Sequence, residues 1–281
     1  MTTRDYKSDC IIFDDSYEGY SAKNFTLPEI YEKHISTILV PSGMIENRLE
    51  RMSIDILSDY EKSGVQSVYV ICILKGGFKF ASDLFKALQE YSFTRRNYIK
   101  VSIDFVAAST YVDDSVGHDT KITPCTNMEK FRDKDVLIVE DMVDTGTSLN
   151  ELERFVKKYE PKSVRSAWYV VLMLFSYFVL SPNAFEVEQV DSLSSRSFIH
   201  LIRKTLNVCA ITCVDVIFQL NHSLLVKRIA EVPGYKPTYV GFEVPNVFIV
   251  GYGIDYNDRF RELPHVCAVN DEGKREFLGQ G

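Results

Sequence analysis

One stretch, VLIVEDMVDTGTS at residues 136–148, spaces reactive side chains in a way that suits a bound anion. The apolar run Val136-Leu137-Ile138-Val139 leads into Glu140 and Asp141; Asp144 follows three residues later, and Thr145-Gly146-Thr147-Ser148 opens a helical pattern. A turn of that composition presents backbone N–H groups and hydroxyls at a helix N-terminus, where the macrodipole also favours an anion. Gly146 lets the backbone approach closely. Two adjacent carboxylates beside such a site repel one another unless they accept hydrogen bonds from a sugar diol or face a Mg2+ ion. Taken singly, acids at a strand end are ordinarily solvated, and Asp or Thr at a helix start is ordinarily a cap. It is the joint spacing that points to chemistry.

Elements that could position these residues recur along the chain. Ile45, Leu49, Met52, Ile56 and Leu57 predict an amphipathic helix over 45–63. Val68 to Leu74 is a continuous apolar run that suits a buried parallel strand. Lys75-Gly76-Gly77 then makes a tight turn into a helix carrying Phe78, Ala81, Leu84, Phe85 and Leu88. Residues 98–107 alternate as a strand, and 109–130 read as a polar loop. The strand–turn–helix order repeats at 136–159, with Leu149, Leu152, Phe155, Val156 and Tyr159 on one helix face. Residues 223–230 and 238–254 are further strand candidates, split by Pro233-Gly234 and Lys236-Pro237. Strands alternating with helices predict a doubly wound, mainly parallel α/β sheet flanked by helices.

Composition narrows the partners. A formal net charge of −7 over 281 residues argues against a general nucleic-acid binder. A phosphorylated small molecule remains compatible, because a few local amides and cations hold a phosphate. The six cysteines suggest no disulfide framework and read as reduced thiols of a cytoplasmic protein. The opening MTTRDYKSDC has no apolar signal-like core.

The stretch at 136–148 resembles the ribose-phosphate signature of type I phosphoribosyltransferases, and other segments resemble the hypoxanthine-guanine group. Leu74-Lys75-Gly76-Gly77 is similar to its pyrophosphate loop, Ser109-Thr110-Tyr111 to its lid, and Leu224 to Arg228 to its purine-binding strand. Gly234 to Pro237, Val240 to Glu243, Phe248 to Tyr252, Asp255 to Asn257, Phe260 to Leu263 and His265 to Cys267 are similar as well. The likeness covers 1–167 and 223–281, about four fifths of the chain, and its one small departure is Thr110 where the family usually has Ser.

The resemblance implies transfer of a phosphoribosyl group from 5-phosphoribosyl-1-pyrophosphate to a purine base, with Mg2+, in a single domain with a small hood built from N- and C-terminal segments. It implies that Asp144 acts as general base at N7 of the purine. Glu140 and Asp141 would hold the ribose hydroxyls or a metal, and Asp144, Thr145, Gly146, Thr147 and Ser148 would cradle the 5′-phosphate. Lys75, Gly76 and Arg261 would contact pyrophosphate, and Thr110 and Tyr111 would belong to the lid. Lys227, Phe248, Ile249 and Asp255 would serve the purine, with Asp255 also at a second Mg2+. A homodimer or homotetramer is the implied assembly. No histidine receives a role. Two other classes compete: a non-catalytic sensor of phosphoribosyl pyrophosphate, and an interaction protein docking through an apolar insertion. The presence of Asp144, Lys227, Phe248, Asp255 and Arg261 together favours the enzyme.

Residues 168–222 have no counterpart in that likeness. They separate Val164-Arg165-Ser166-Ala167 from Leu224-Leu225-Val226-Lys227, which the resemblance joins as one strand, so they are expected to break its ladder. The apolar run Trp168–Leu180 and residues 205–220 are both short of the roughly 20 apolar residues of a membrane span. Trp168-Tyr169-Val170 must be encoded TGGTAYGTN, which contains a typical intron start, and Ser223 can be encoded AGY, which supplies an intron end. Splicing there leaves one Cys in place of 168–223 and restores the frame. The segment therefore reads as a retained intron, with crippled activity expected where it is present.

Overall fold

The buried strands form where apolar, β-branched runs can face the core on both sides. The computed structural model describes residues 10–112, 118–143, 147–171, 221–227 and 239–277. Its strands are β1 (Ile11–Ile12), β2 (Ile35–Val40), β3 (Ser67–Leu74), β4 (Lys100–Val112), β5 (His118–Pro124), β6 (Asp135–Val143), β7 (Ser163–Val171), β8 (Asn221–Lys227), β9 (Tyr239–Val244), β10 (Ile249–Val250) and β11 (Val266–Val269). Its helices are α1 (Glu29–Glu32), α2 (Ser42–Lys62), α3 (Phe78–Phe93), α4 (Thr147–Lys157) and α5 (Asp271–Glu276).

An eight-stranded sheet runs β1-β9-β8-β7-β6-β3-β4-β5. All neighbours in it are parallel except β4 and β5. β3 lies where the winding reverses, with β4 on one side and β6 on the other. Alternation along β3 and β6 feeds two separate cores. Val68, Val70, Cys72, Leu137 and Val139 join Leu49, Met52, Ile56 of α2 and Leu84, Leu88 of α3 on one face. Ile71, Ile73, Val136 and Ile138 join Leu152 and Val156 of α4 on the other. This is the doubly wound α/β fold expected from the sequence. A three-stranded antiparallel sheet, β10-β11-β2, forms the hood. Its own core is built from Tyr31, Ile35, Ile38, Val250, Phe260, Leu263, Cys267 and Phe277.

Three elements differ from expectation. The polar stretch after residue 108 is not a loop throughout: β4 runs on to Val112 and pairs antiparallel with β5, with a 3-10 turn at Met128–Phe131. The polar residues there include Thr110, Thr120 and Thr123, whose branched Cβ suits an edge pair as well as a loop. The single strand expected at 238–254 is two, β9 and β10, parted after Val244 by Pro245. The third difference is the ladder around the insertion.

That ladder is continuous. β7 pairs parallel with β6, and β8 pairs parallel with β7. Asn221 faces Ser166, His222 faces Ala167, Ser223 faces Trp168, Leu225 faces Val170 and Val226 faces Val171, each partner number 55 higher than the other. The segment 168–222 is itself 55 residues long. The two halves expected to form one strand therefore lie side by side at equal height, and β8 rather than β7 makes the ladder with β9.

Candidate active site

Parallel strands bring their carboxyl ends to one edge of a sheet, and in open α/β folds ligands bind there, beside the point of reversal. β3 delivers Lys75-Gly76-Gly77 to this edge, β6 delivers Glu140 and Asp141, and β8 ends on Lys227. Glu140 is 8% exposed. Thr147 and Ser148 open α4. Asp144, Thr145 and Gly146, between β6 and α4, lie outside the described residues. Thr110 and Tyr111 stand on the extension of β4, paired with Thr120 and Asp119.

Backbone packing ties three of the expected groups together. A Cβ built on Gly77 would come within 2.7 Å of the Ile73 carbonyl oxygen and 3.3 Å of the Glu140 Cα, so the turn leaving β3 rests directly on the end of β6. Gly251, Tyr252 and Gly253 all have positive φ, at 90°, 52° and 100°. They fold the chain back so that a Cβ on Gly253 would stand 3.0 Å from the Gly76 carbonyl oxygen. The Gly253 carbonyl in turn accepts a 2.8 Å hydrogen bond from Arg261 Nη1. Arg261 Nη2 donates to Asp255 Oδ1 at 2.6 Å, and the Asp258 amide donates to Asp255 Oδ2 at 2.9 Å. Contact thus runs from Glu140 through Gly77, Gly76 and Gly253 to Arg261 and Asp255. Sequence reasoning placed Gly77 in the turn after Lys75 but missed Gly253 as part of this path. Two glycines beside the turn at Lys75 and the residue Asp255 were the available signal.

Phe248 is 42% exposed. Tyr256 meets it edge-on at 5.2 Å, and Lys274 Nζ stands 5.8 Å from its ring centre. Ile249 is buried and pairs with Ala268 in the hood sheet. Lys227 pairs with Val244, so its backbone stands two strands away from β6, with β7 between.

The oxygens available suit a hard divalent cation such as Mg2+. Each oxygen of the Asp255 carboxylate takes one donor from the protein, which leaves lone pairs for a metal. Among the described residues a second grouping, His34 with Glu272 and Glu276, lies in the hood, where Lys33 already bonds Glu276 at 2.9 Å. No helix among the described residues is long and apolar enough to cross a membrane.

A phosphoribosyl transferase domain is matched over residues 41–171. Hypoxanthine-guanine phosphoribosyltransferase of Schistosoma mansoni is 34% identical over 277 residues, spanning 99% of this chain and 78% of that protein. Human phosphoribosyltransferase domain-containing protein 1 is 30% identical over 273 residues, spanning 97% and 95% respectively. The crystal structure of the Schistosoma mansoni hypoxanthine-guanine phosphoribosyltransferase in complex with IMP superposes with a TM-score of 0.63 at 30% identity, covering 96% of this chain and all of that one. These matches place the chain among the transferases of phosphoribosyl groups. The chain belongs to the type I phosphoribosyltransferases, in the hypoxanthine-guanine group of that family.

Proposed function

We propose that the chain transfers the phosphoribosyl group of 5-phosphoribosyl-1-pyrophosphate to hypoxanthine or guanine, giving IMP or GMP and pyrophosphate. The observation that carries this reading is the contact path joining the turn at Lys75-Gly76, the acid at the end of β6 and the Arg261–Asp255 pair. In the reaction the bond from the anomeric carbon to the pyrophosphate oxygen breaks and its electron pair leaves with pyrophosphate. The purine N9 lone pair forms the new bond, and the proton on N7 passes to, or is shared with, Asp144. The ribose becomes oxocarbenium-like, so the site must steady a leaving anion and a cationic sugar together.

Amides and the cation at Lys75 and Gly76, with Arg261, steady the anion. Glu140 and Asp141 hold the ribose hydroxyls and place negative charge beside the sugar. Asp144 to Ser148 fix the 5′-phosphate, and Thr110 and Tyr111 close over the site and exclude water. Lys227 donates to the purine 6-oxo group, Phe248 stacks on the ring, and the Ile249 backbone meets the purine edge. Glu140, Asp141 and Asp255 would hold Mg2+, which supplies neutralisation of the pyrophosphate charge. The reading also places the protein in the cytoplasm as a homodimer or homotetramer.

The same reading treats 1–281 as one domain interrupted at 168–222. The 55-residue offset between β7 and β8 supports it: removing the segment lets the second half occupy the slot of the first without changing height. The test is nucleotide formation from hypoxanthine, guanine and xanthine with phosphoribosyl pyrophosphate and Mg2+, using the 281-residue chain and one lacking 168–222. Absence of nucleotide from every base with both chains would overturn the function.

A further inference from the structure

Tyr252 is 2% exposed within the core it shares with α3, and its hydroxyl donates to Asp83 Oδ2 of that helix at 2.7 Å. Lys79 Nζ donates to the same oxygen at 2.7 Å and stands 5.3 Å from the centre of the Tyr252 ring. A Cβ built on Gly253 would lie 3.5 Å from Lys79 Cβ, so side chains and backbone meet at one seam. On one side of the seam is α3, which begins directly after Lys75-Gly76-Gly77. On the other is the reversed segment 251–253, which carries Asp255 two residues later.

That segment has little freedom of its own. The Tyr252 amide donates to the Leu263 carbonyl at 2.7 Å, the Gly253 amide to the Arg261 carbonyl at 3.0 Å, and the Gly251 amide to the Ile254 carbonyl at 2.9 Å. A displacement of Tyr252 therefore carries Arg261 and Asp255 with it.

We infer that Asp83, with Lys79 and Tyr252, forms a latch that fixes the hood against α3 and so sets the width of the pyrophosphate subsite. This rests on the proposed function for the identity of the anion. Asp83, Lys79 and Tyr252 are positioning residues here, acting through Gly253 and Arg261. A hydrogen bond to a charged group in a half-buried place is among the stronger ones. Tyr252→Phe removes it and leaves the ring in place.

The experiment uses the 281-residue chain. Amide hydrogen exchange of 251–254 and calorimetric titration with inorganic pyrophosphate plus Mg2+ are compared among the parent, Tyr252→Phe, Asp83→Asn and the control Lys86→Ala, whose partner Glu90 is 3.9 Å away on the solvent side of α3. Opening of the latch is expected to speed exchange at Tyr252 and Gly253 about tenfold and to raise the pyrophosphate Kd about tenfold, each matching roughly 1.4 kcal/mol. In chains that turn over, KM for phosphoribosyl pyrophosphate should rise while KM for the base stays within twofold, a split that general destabilisation does not produce. Unchanged exchange in Tyr252→Phe overturns the latch. Faster exchange with an unchanged pyrophosphate Kd overturns its positioning role. A parent that binds neither pyrophosphate nor phosphoribosyl pyrophosphate defeats the proposed function instead, while exchange still decides whether the latch exists.

Discussion

Deleting residues 168–222, so that Ala167 is followed by Ser223, should raise kcat/KM for purine about a hundredfold. In the present fold Ser223, Leu225 and Val226 stand beside Trp168, Val170 and Val171, which themselves face Glu140, Met142 and Val143. After deletion Ser223, Leu225 and Val226 face those β6 residues directly. Their pairing with Val240, Phe242 and Glu243 on β9 can persist in the same register. Lys227 keeps its height along the sheet and moves sideways by one inter-strand spacing, about 4.8 Å. Two estimates bound the effect. A misplacement of about 1 Å can cost about a hundredfold in rate. A hydrogen bond from a charged donor, about 1.5–3 kcal/mol, corresponds to roughly 10- to 150-fold. The assay is steady-state nucleotide formation by both chains, each also carrying Lys227→Ala. That substitution should cost the shortened chain most of its gain and change the 281-residue chain less than about twofold. Equal kcat/KM for the two lengths would refute the argument, and so would an equal loss from Lys227→Ala in both.

Further outcomes are expected elsewhere. Asp144→Asn in the shortened chain should lower kcat by about two to four orders of magnitude with an unchanged melting temperature, as measured by calorimetry beside the rate assay. Gly251→Ala should destabilise by at least about 2 kcal/mol, because the residue sits at φ 90° and its Cβ would fall 2.1 Å from the His265 carbonyl oxygen. A melting temperature within about 1 °C of the parent would contradict that. Burial holds the His265 imidazole below its ordinary pKa, and its Nδ1 accepts the Ser42 amide at 2.9 Å. The unfolded chain then binds a proton that the folded one resists, so stability is full above about pH 6.5 and falls as pH drops from there. Urea midpoints taken from pH 7.5 to 5.5 should show this decline, and His265→Gln should flatten it.

Much of the frame is legible in the residues. β3 and β6 are long apolar runs closed by a glycine turn and an acid pair, and no other element type buries both faces so simply. α2 and α3 are amphipathic over several turns and declare themselves the same way. The β4–β5 pair is hidden because edge strands need only one buried face, and threonines serve a strand and a loop equally. The place of β8 is hidden for another reason. Its sequence marks it as a strand, but which neighbour it takes depends on a ladder formed with residues more than fifty positions away. Of the site, single residues can be picked by type. The turn at Gly76 and Gly77 is legible as such, but that Gly253 rests on it shows only when positive φ and close approach are seen in space.

An added strand also changes direction, not only distance. Neighbouring strands in a sheet are rotated by about 20–25° relative to one another, so placing β7 between β6 and β8 turns β8, β9 and β1 as a group by roughly that angle away from the turn that follows β6. The hood is joined to β9 through the short link Pro245–Phe248, and just past β10 Tyr252 is bonded to Asp83 of α3. A sheet widened by one strand therefore asks that link to absorb torsion, and the residues between Pro245 and Phe248 are where the longer chain should first lose its order.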